Sequence, residues 1–252
     1  MVDLLDLRIC TFNCRSIIFN CRSIKNSIID VNNLCLSHDI VLIQEHWLLP
    51  FELSVLSGIN DEFLAYGQSA VDVSCNILKG RPYGGTAILY RKQLANVINI
   101  VSSCEPRLCA SRIETCEGPI LLANVYMPTD NSDSESYDEY VDLFEYVDLF
   151  TKIHSLFTDS DCVYLLVAGD FNCKVDSRFY DVFCNFLRDL QLVCIDQHRL
   201  RGICTYISDD GQRRSWIDYI ICSKPLDWSS MYVMSQSCMV MCLQTIAPCL
   251  PV

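Results

Sequence analysis

Four well-separated stretches of this chain each place an oxygen-bearing side chain at the end of an apolar run. They are Asp39–Trp47 (DIVLIQEHW), Leu121–Pro128 (LLANVYMP), Tyr164–Asn172 (YLLVAGDFN) and Arg214–Ile221 (RSWIDYII). Each reads as a buried strand that delivers one or two polar groups at its exit. Acidic groups converging at strand ends suit a hard cation such as Mg²⁺, which takes oxygen ligands and leaves positions for substrate phosphate. Glu45 closes the first run, and a carboxylate fixed at a strand terminus is a good ligand of that kind. In Gly169-Asp170-Phe171-Asn172 the glycine allows close backbone approach, and Asp170 and Asn172, two apart, can face the same way. A carboxylate beside an amide can orient and deprotonate a water while holding a phosphate oxygen. Asp218 is an acid in an otherwise apolar strand, so its burial requires a partner. Tyr126, just before Pro128, is either a core residue or a hydroxyl donor to phosphate.

The elements that must position these groups can be read from periodicity. Leu4–Phe12 predicts a first strand leading to Asn13, and Lys25–Ser37 a helix with Ile28, Ile29 and Leu36 as core candidates. Val41–Gln44, Thr86–Tyr90 and Ile98–Val101 predict further strands, and Gly84-Gly85 opens the second of these. Ala110–Glu114 and Ile120–Val125 flank a Glu117-Gly118-Pro119 turn and predict a hairpin. Turn and capping residues in Thr129–Ser136 predict a helix start, with the helix running to about Phe157. Val163–Ala168 is a buried strand. Arg178–Leu190 is an amphipathic helix with Phe179, Val182, Phe183, Phe186 and Leu190 at helical spacing. Thr205–Ile207 and Trp216–Cys222 predict two strands joined through Asp209-Asp210-Gly211. Strands and helices do not alternate as regular βαβ units, which favours a mixed two-sheet α/β sandwich over a doubly wound sheet.

The chain has 252 residues, 51% of them apolar, and no Gly/Ser-rich linker, which suits one large domain over residues 1–252. The longest apolar runs are too short for a membrane span. Met1–Asp6 has no basic segment of the secretory type, so secretion is not expected. The 17 cysteines are scattered without a CxxC pair, many in apolar runs, and read as reduced thiols of a nuclear or cytoplasmic protein. The net charge of −12 opposes a nucleic-acid partner. The charge is uneven, however: acids crowd Asp130–Asp148, whereas Arg199, Arg201, Arg213 and Arg214 bracket one late loop, and Arg81, Arg91 and Lys92 another segment. These cations form either a local basic rim or an ordinary solvated set.

Two tandem duplications interrupt the pattern. Phe12–Ile17 (FNCRSI) recurs as Phe19–Ile24, and Glu139–Phe144 (EYVDLF) recurs immediately as Glu145–Phe150. Both are too short for solenoid repeats. Six extra residues in a helix rotate the residues beyond them by about 240°, so the apolar face must change across the insertion. Slippage under weak constraint, a gene-model error, or adaptive lengthening each accounts for them.

Taken in order, FNCRS with Asn13, QEHW with Glu45, GGTAILYR, NVYMP with Tyr126, GDFN with Asp170 and Asn172, and TY…RRSWIDYI with Thr205 and Asp218 resemble the endonuclease/exonuclease/phosphatase superfamily. The wording is nearest to endonuclease domains of non-LTR (LINE-type) retrotransposons, kin to apurinic/apyrimidinic endonucleases. The resemblance covers essentially the whole chain. It implies a four-layer α/β sandwich: two mixed β-sheets face to face, helices outside, and the site at one end of the sheets. It also implies a monomer without membrane attachment, a Mg²⁺ cofactor (with Mn²⁺ as substitute) and DNA as partner. By that likeness Glu45 binds the metal near Asn13, with Asn20 in the duplicate as the other option. Asp170 orients or deprotonates the attacking water, Asn172 positions phosphate, and Tyr126 contacts the scissile phosphate. Asp218 holds a histidine, while Thr205, Arg213 and Arg214 lie on the substrate side. The implied reaction is in-line phosphodiester hydrolysis leaving a 3′ hydroxyl.

The likeness fails at one station. The family closes on an S-D-H motif followed by a small apolar stretch, whereas this chain reads Ala247-Pro248-Cys249-Leu250-Pro251-Val252. Cys249 stands where the histidine belongs and Pro248 where its aspartate belongs. His198 precedes the strand of Asp218 and is a poor substitute. Loss of such a histidine commonly costs roughly 10²- to 10⁴-fold in rate, so a degenerate active site is expected. A phosphomonoester or phosphoinositide phosphatase on the same fold, and a non-catalytic interaction module, are the competing expectations.

Overall fold

The computed structural model describes residues 7–14, 23–73, 83–129, 139–195, 204–207, 212, 214–223, 231–236 and 240–245. Runs such as Ile40–Gln44 (IVLIQ) are buried at every position, which a strand requires only when both faces of its sheet are covered. That requirement sets the architecture. One six-stranded sheet contains β1 (Ile9–Asn13), β2 (Ile40–Gln44), β3 (Phe63–Gln68), β4 (Thr86–Arg91), β13 (Met231–Gln236) and β14 (Val240–Thr245), in the order β13-β14-β1-β2-β4-β3. The other contains β5 (Ile98–Val101), β6 (Leu108–Ile113), β7 (Ile120–Tyr126), β8 (Tyr164–Asp170), β9 (Leu192–Cys194) and β12 (Asp218–Ser223), in the order β5-β6-β7-β8-β12-β9. Both sheets are mixed. β1 pairs with β2, and β7 with β8, in parallel, and the other pairings are antiparallel.

Alternation along each strand sorts the side chains into three cores, and hence four layers. Ile9, Ile40, Leu42 and Ile88 of the first sheet meet Cys109, Leu122, Leu166 and Ile220 of the second. The intervening residues Cys10, Phe12, Val41 and Ile43 face outward onto α1 (Ile28–Ser37) and α2 (Ser54–Ser57). On the other side, Leu121, Ala123, Leu165 and Val167 pack against α3 (Glu139–Asp159) and α4 (Arg178–Asp189). The expected two-sheet sandwich with flanking helices is therefore the observed fold. No helix among the described residues is long and apolar enough to cross a membrane.

Several local expectations are corrected. Ile28, Ile29 and Leu36 of α1 are 37%, 75% and 67% exposed, and the buried stripe is Ser27, Val31, Leu34, Cys35 and His38. Two polar residues end that stripe, so hydrophobicity alone points to the wrong face. Thr205–Ile207 does not pair with the strand of Asp218. Instead β10 (Tyr206–Ile207) and β11 (Arg214–Ser215) form a separate ribbon, and β12 enters the main sheet between β8 and β9. Arg91 does not join a basic rim. Its Nε donates to Asp39 Oδ1 at 2.9 Å, while Arg8 donates to Oδ2 from its backbone N and its Nε. Burial alone would raise the Asp39 carboxyl, but Arg8 and Arg91 outweigh it and hold the group below its ordinary value.

α3 contains both copies of the hexapeptide. Tyr146, Leu149 and Phe150 of the second copy are buried, whereas Phe144 of the first is 73% exposed, as the 240° rotation requires. On α4, Phe179, Phe183 and Phe186 are buried and Val182 and Leu190 partly so. The Ser177 hydroxyl caps its first turn by accepting from Tyr180 N.

One glycine sets how closely β7 and β8 can run. Gly169 has φ +145°, and a Cβ there would lie 2.1 Å from the Val125 carbonyl oxygen, its register partner. Gly169→Ala is therefore expected to cost on the order of 3 kcal/mol or more, since neither backbone can yield without breaking the ladder. Urea unfolding of the variant against the parent chain measures it.

Candidate active site

The parallel pairs β1–β2 and β7–β8 end side by side, and the antiparallel β12 begins there. Five of the residues singled out in the sequence consequently lie at one end of the sandwich. Asn13 is the last residue of β1, Glu45 follows β2, Tyr126 and Asp170 end β7 and β8, and Asp218 starts β12. Register makes Tyr126 and Asp218 the two cross-strand neighbours of Asp170.

The sheets meet at this end through Asn13. Its Nδ2 donates to Asp170 Oδ2 at 2.8 Å and to Glu45 Oε1 at 3.2 Å. The two carboxylate oxygens are thus no farther apart than the sum of those distances. Asn13, Glu45, Asp170 and Asp218 are 3%, 5%, 3% and 3% exposed. The other Glu45 oxygen, Oε2, accepts from Trp47 Nε1 at 3.2 Å. Two neutral donors thus serve a buried carboxylate and offset part of the cost of desolvating its charge. The remaining Asp170 oxygen, Oδ1, accepts from Asn172 N at 2.9 Å, and one Asn172 side-chain N–H donates to Met127 O at 2.8 Å. Asn172 sits at φ 48°, a left-handed geometry that asparagine tolerates. Glu45 and Trp47, at φ 53° and 57°, are less at ease there, and a bulky Trp held in that region marks stored strain.

His46 fixes this turn. Its Nδ1 accepts from Leu48 N at 3.0 Å, which leaves Nε2–H to donate to Gln68 O at 2.9 Å. Gly85, at φ +86°, leaves room for the ring, because a Cβ there would lie 2.4 Å from His46 Cε1. Burial pushes the His46 pKa down to about 4, so the ring is neutral with both nitrogens engaged. His46 is therefore a structural residue of the turn, not a free acid or base.

Tyr126 borders both the carboxylates and a cavity of about 350 Å³. Burial, reinforced by the charges of Glu45 and Asp170, raises its phenol pKa, while Arg107 and Thr129 oppose the shift. The hydroxyl keeps its proton and is a donor. The Arg107 guanidinium lies 5.2 Å from the ring centre, and Tyr83, Glu145, Asp148 and Lys152 are among the other residues around the cavity. Thr205 is 4% exposed, and its Oγ1 accepts from the backbone N of Ile217 and Asp218 at 3.0 and 3.1 Å. It thereby braces the strand that carries Asp218. Arg214 is exposed on β11. Asn20, His198, Arg213, Pro248 and Cys249 lie outside the described residues.

Sequence reasoning overlooked the polar staple beneath the site. Asn124, fully buried, donates to Ile43 O and Ala87 O of the opposite sheet, both at 2.8 Å, and accepts from Gln44 Nε2. Gln44 Nε2 also donates to Thr11 Oγ1 at 2.8 Å. Asn124 is as legible in the sequence as Asp218, being a polar residue inside a strand covered on both faces.

The Endonuclease/Exonuclease/phosphatase family profile matches residues 10–230. Among solved structures, the catalytic domain of Xenopus laevis APE2 superposes with TM-score 0.68 at 16% identity, covering 96% of this chain and 94% of that one. The endonuclease domain of TRAS1, a telomere-specific non-LTR retrotransposon, gives 0.59 at 13% identity, over 95% and 98%. Among curated relatives, craniofacial development protein 2 of Bos taurus is 27% identical over 158 residues, or 55% of this chain and 25% of its own length. The chain therefore spans about a quarter of the curated relative it matches.

The buried His46 generates a pH dependence with a definite sign. An unfolded chain takes up this proton near the ordinary value of 6.5, whereas the folded one resists until about 4. Stability is therefore full above that interval and falls as the pH drops through it. Replacing the ring by His46→Gln is expected to flatten that part of the stability–pH curve, measured as urea midpoints across the interval.

Proposed function

The chain belongs to the endonuclease/exonuclease/phosphatase family, and from that premise we propose that it is a divalent-cation-dependent DNA endonuclease of the retrotransposon kind, with catalysis impaired at Cys249. The observation that carries the reading is the meeting of Glu45 and Asp170, from different sheets, on the one amide of Asn13.

The donor set suits Mg²⁺, or Mn²⁺ in its place. Glu45, Asp170 and Asn13 offer hard oxygen atoms, and no sulfur or imidazole is bonded to Glu45 among the described residues. Nor is any group of three or more His, Cys, Asp and Glu side chains there arranged to hold an ion. Magnesium fits such a partial set because it keeps waters and uses substrate phosphate as ligand. Bound beside Glu45, it supplies positive charge to the phosphate.

The chain's own groups do the remaining work. Asp170, held on both oxygens by Asn13 and Asn172, is oriented to accept a proton from the attacking water. Asn172 positions that water against the phosphate. The protonated Tyr126 hydroxyl donates to a phosphate oxygen. Arg214, exposed on β11, and by the family likeness Arg213 and Thr205, serve the substrate side, where the two arginines offset part of the −12 net charge. Asp218 stands where the family orients its histidine. With Cys249 at that station, no cation forms at neutral pH, and charge on the transition-state phosphate goes without that support.

Nicking of supercoiled plasmid in Mg²⁺ tests the reading. A slow rate is expected, abolished by Asp170→Asn and raised by about 10²- to 10⁴-fold on joint Pro248→Asp and Cys249→His replacement. Plasmid left intact by every variant, with phosphate released from small monoesters, would transfer the site to phosphatase chemistry. Silence in both assays, together with no DNA binding at low salt, would point to an interaction module.

A further inference from the structure

The turn after β2 holds a bulky residue in a strained conformation. Trp47, at φ 57°, lies in the left-handed region, where such a side chain persists only if its surroundings fix it. Its backbone N donates to Gly84 O at 3.0 Å, which pins the chain in that state. Core packing does not account for a tryptophan here. Among the described residues Trp47 belongs to none of the three apolar cores, whereas Trp216 packs against two of them. The Trp47 side chain stays half-buried at the edge of the site.

What the strained turn delivers is a directed N–H. Glu45 and Trp47, two apart and both left-handed, curl the chain so that the indole Nε1 reaches back to Glu45 Oε2 at 3.2 Å. Asn13 Nδ2 donates to the other oxygen, Oε1, at 3.2 Å. One donor on each oxygen fixes the plane of the carboxylate and leaves lone pairs on both oxygens for other ligands. Asp170 is held in the same way, by Asn13 on Oδ2 and Asn172 N on Oδ1.

We propose that Trp47 is a positioning residue for the divalent cation: its indole N–H holds Glu45 in the orientation that ligates the ion. The inference rests on the cation site proposed above and extends it to a residue outside the ligand set. A glutamate free to rotate gives up side-chain freedom when it takes the ion, and the indole removes that freedom in advance. The chemistry of the donor matters as well. A lysine or arginine at this position would hold the carboxylate but repel the incoming ion, whereas indole donates without charge.

The neighbouring groups are already committed. His46, between Glu45 and Trp47 in the chain, spends its ring nitrogens on Leu48 N and Gln68 O. The Asn13 amide is shared between Glu45 and Asp170. The strain at Trp47 thus has a return at the site itself, where a glycine would suit the backbone but supply no donor.

Mn²⁺ binding to the full chain, followed through the electron paramagnetic resonance of the free aqueous ion, tests the proposal. The parent chain is expected to show a class of sites that Glu45→Gln removes. Replacing the Trp47 side chain by benzothienylalanine keeps the two fused rings and removes only the N–H. That exchange is expected to weaken the Glu45-dependent class by roughly 10- to 100-fold, and to cause no further loss in the Glu45→Gln background. Trp47→Phe should act in the same direction. Fluorotryptophan at the same position retains the N–H and should retain the affinity. Glu45-dependent binding that is indifferent to benzothienylalanine would overturn this inference and leave the cation site standing. An equal loss with fluorotryptophan would assign the effect to packing and overturn it as well. No Glu45-dependent binding in the parent chain would overturn both the inference and the cation site beneath it.

Discussion

Two sheets of separate connectivity have to agree at one end to within the reach of an amide. Asn13 spans that junction, donating to Glu45 of its own sheet and to Asp170 of the other. Everything polar around it depends on the agreement. If the sheets slid past each other by one residue, Asp170 would leave hydrogen-bond reach of Asn13, which now donates to it at 2.8 Å. Asn124 holds the same junction one layer deeper, bonding to backbone carbonyls of the opposite sheet. A buried amide satisfied in this way resists sliding, because a shift breaks both of its bonds to the opposite sheet.

The chemistry-bearing end was legible because strands covered on both faces admit polar residues only where a partner exists. Glu45, Tyr126, Asp170 and Asp218 each interrupt or end an apolar run, and register brings them together. Where the reading failed, the missing information was relational. Ile29 and Leu36 are apolar and helical, but which face of α1 meets the sheet is decided by packing, and Ser27 and His38 are buried in their stead. Arg91 looks like a free surface cation until Asp39 is seen beside it. The strained turn at Glu45 and Trp47 has no glycine to announce it. It persists because His46 binds two backbone groups and Gly85 leaves space for the ring.

The α3 helix links the fold's least conventional sequence feature to its most constrained loop. Tyr146 holds Phe171 from below, Ile217 O accepts from Phe171 N, and Met127 N donates to Asp170 O. The Asp170–Asn172 segment is thus tied to a helix, a neighbouring strand and its own side chains. An insertion in that helix rotates the faces on either side of it, and the fold accommodates this by leaving Phe144 in solvent.

Glu45 and Asp170, gathered on Asn13, are proposed to form a place for one hard divalent cation, and the chemistry of the site rests on that ion. Anomalous diffraction from crystals soaked in Mn²⁺ locates it whatever the catalytic rate. A manganese peak is expected within about 2 to 2.5 Å of a Glu45 or Asp170 carboxylate oxygen, lost in crystals of Glu45→Gln. A peak elsewhere, or density at this end unchanged by that substitution, would contradict the assignment.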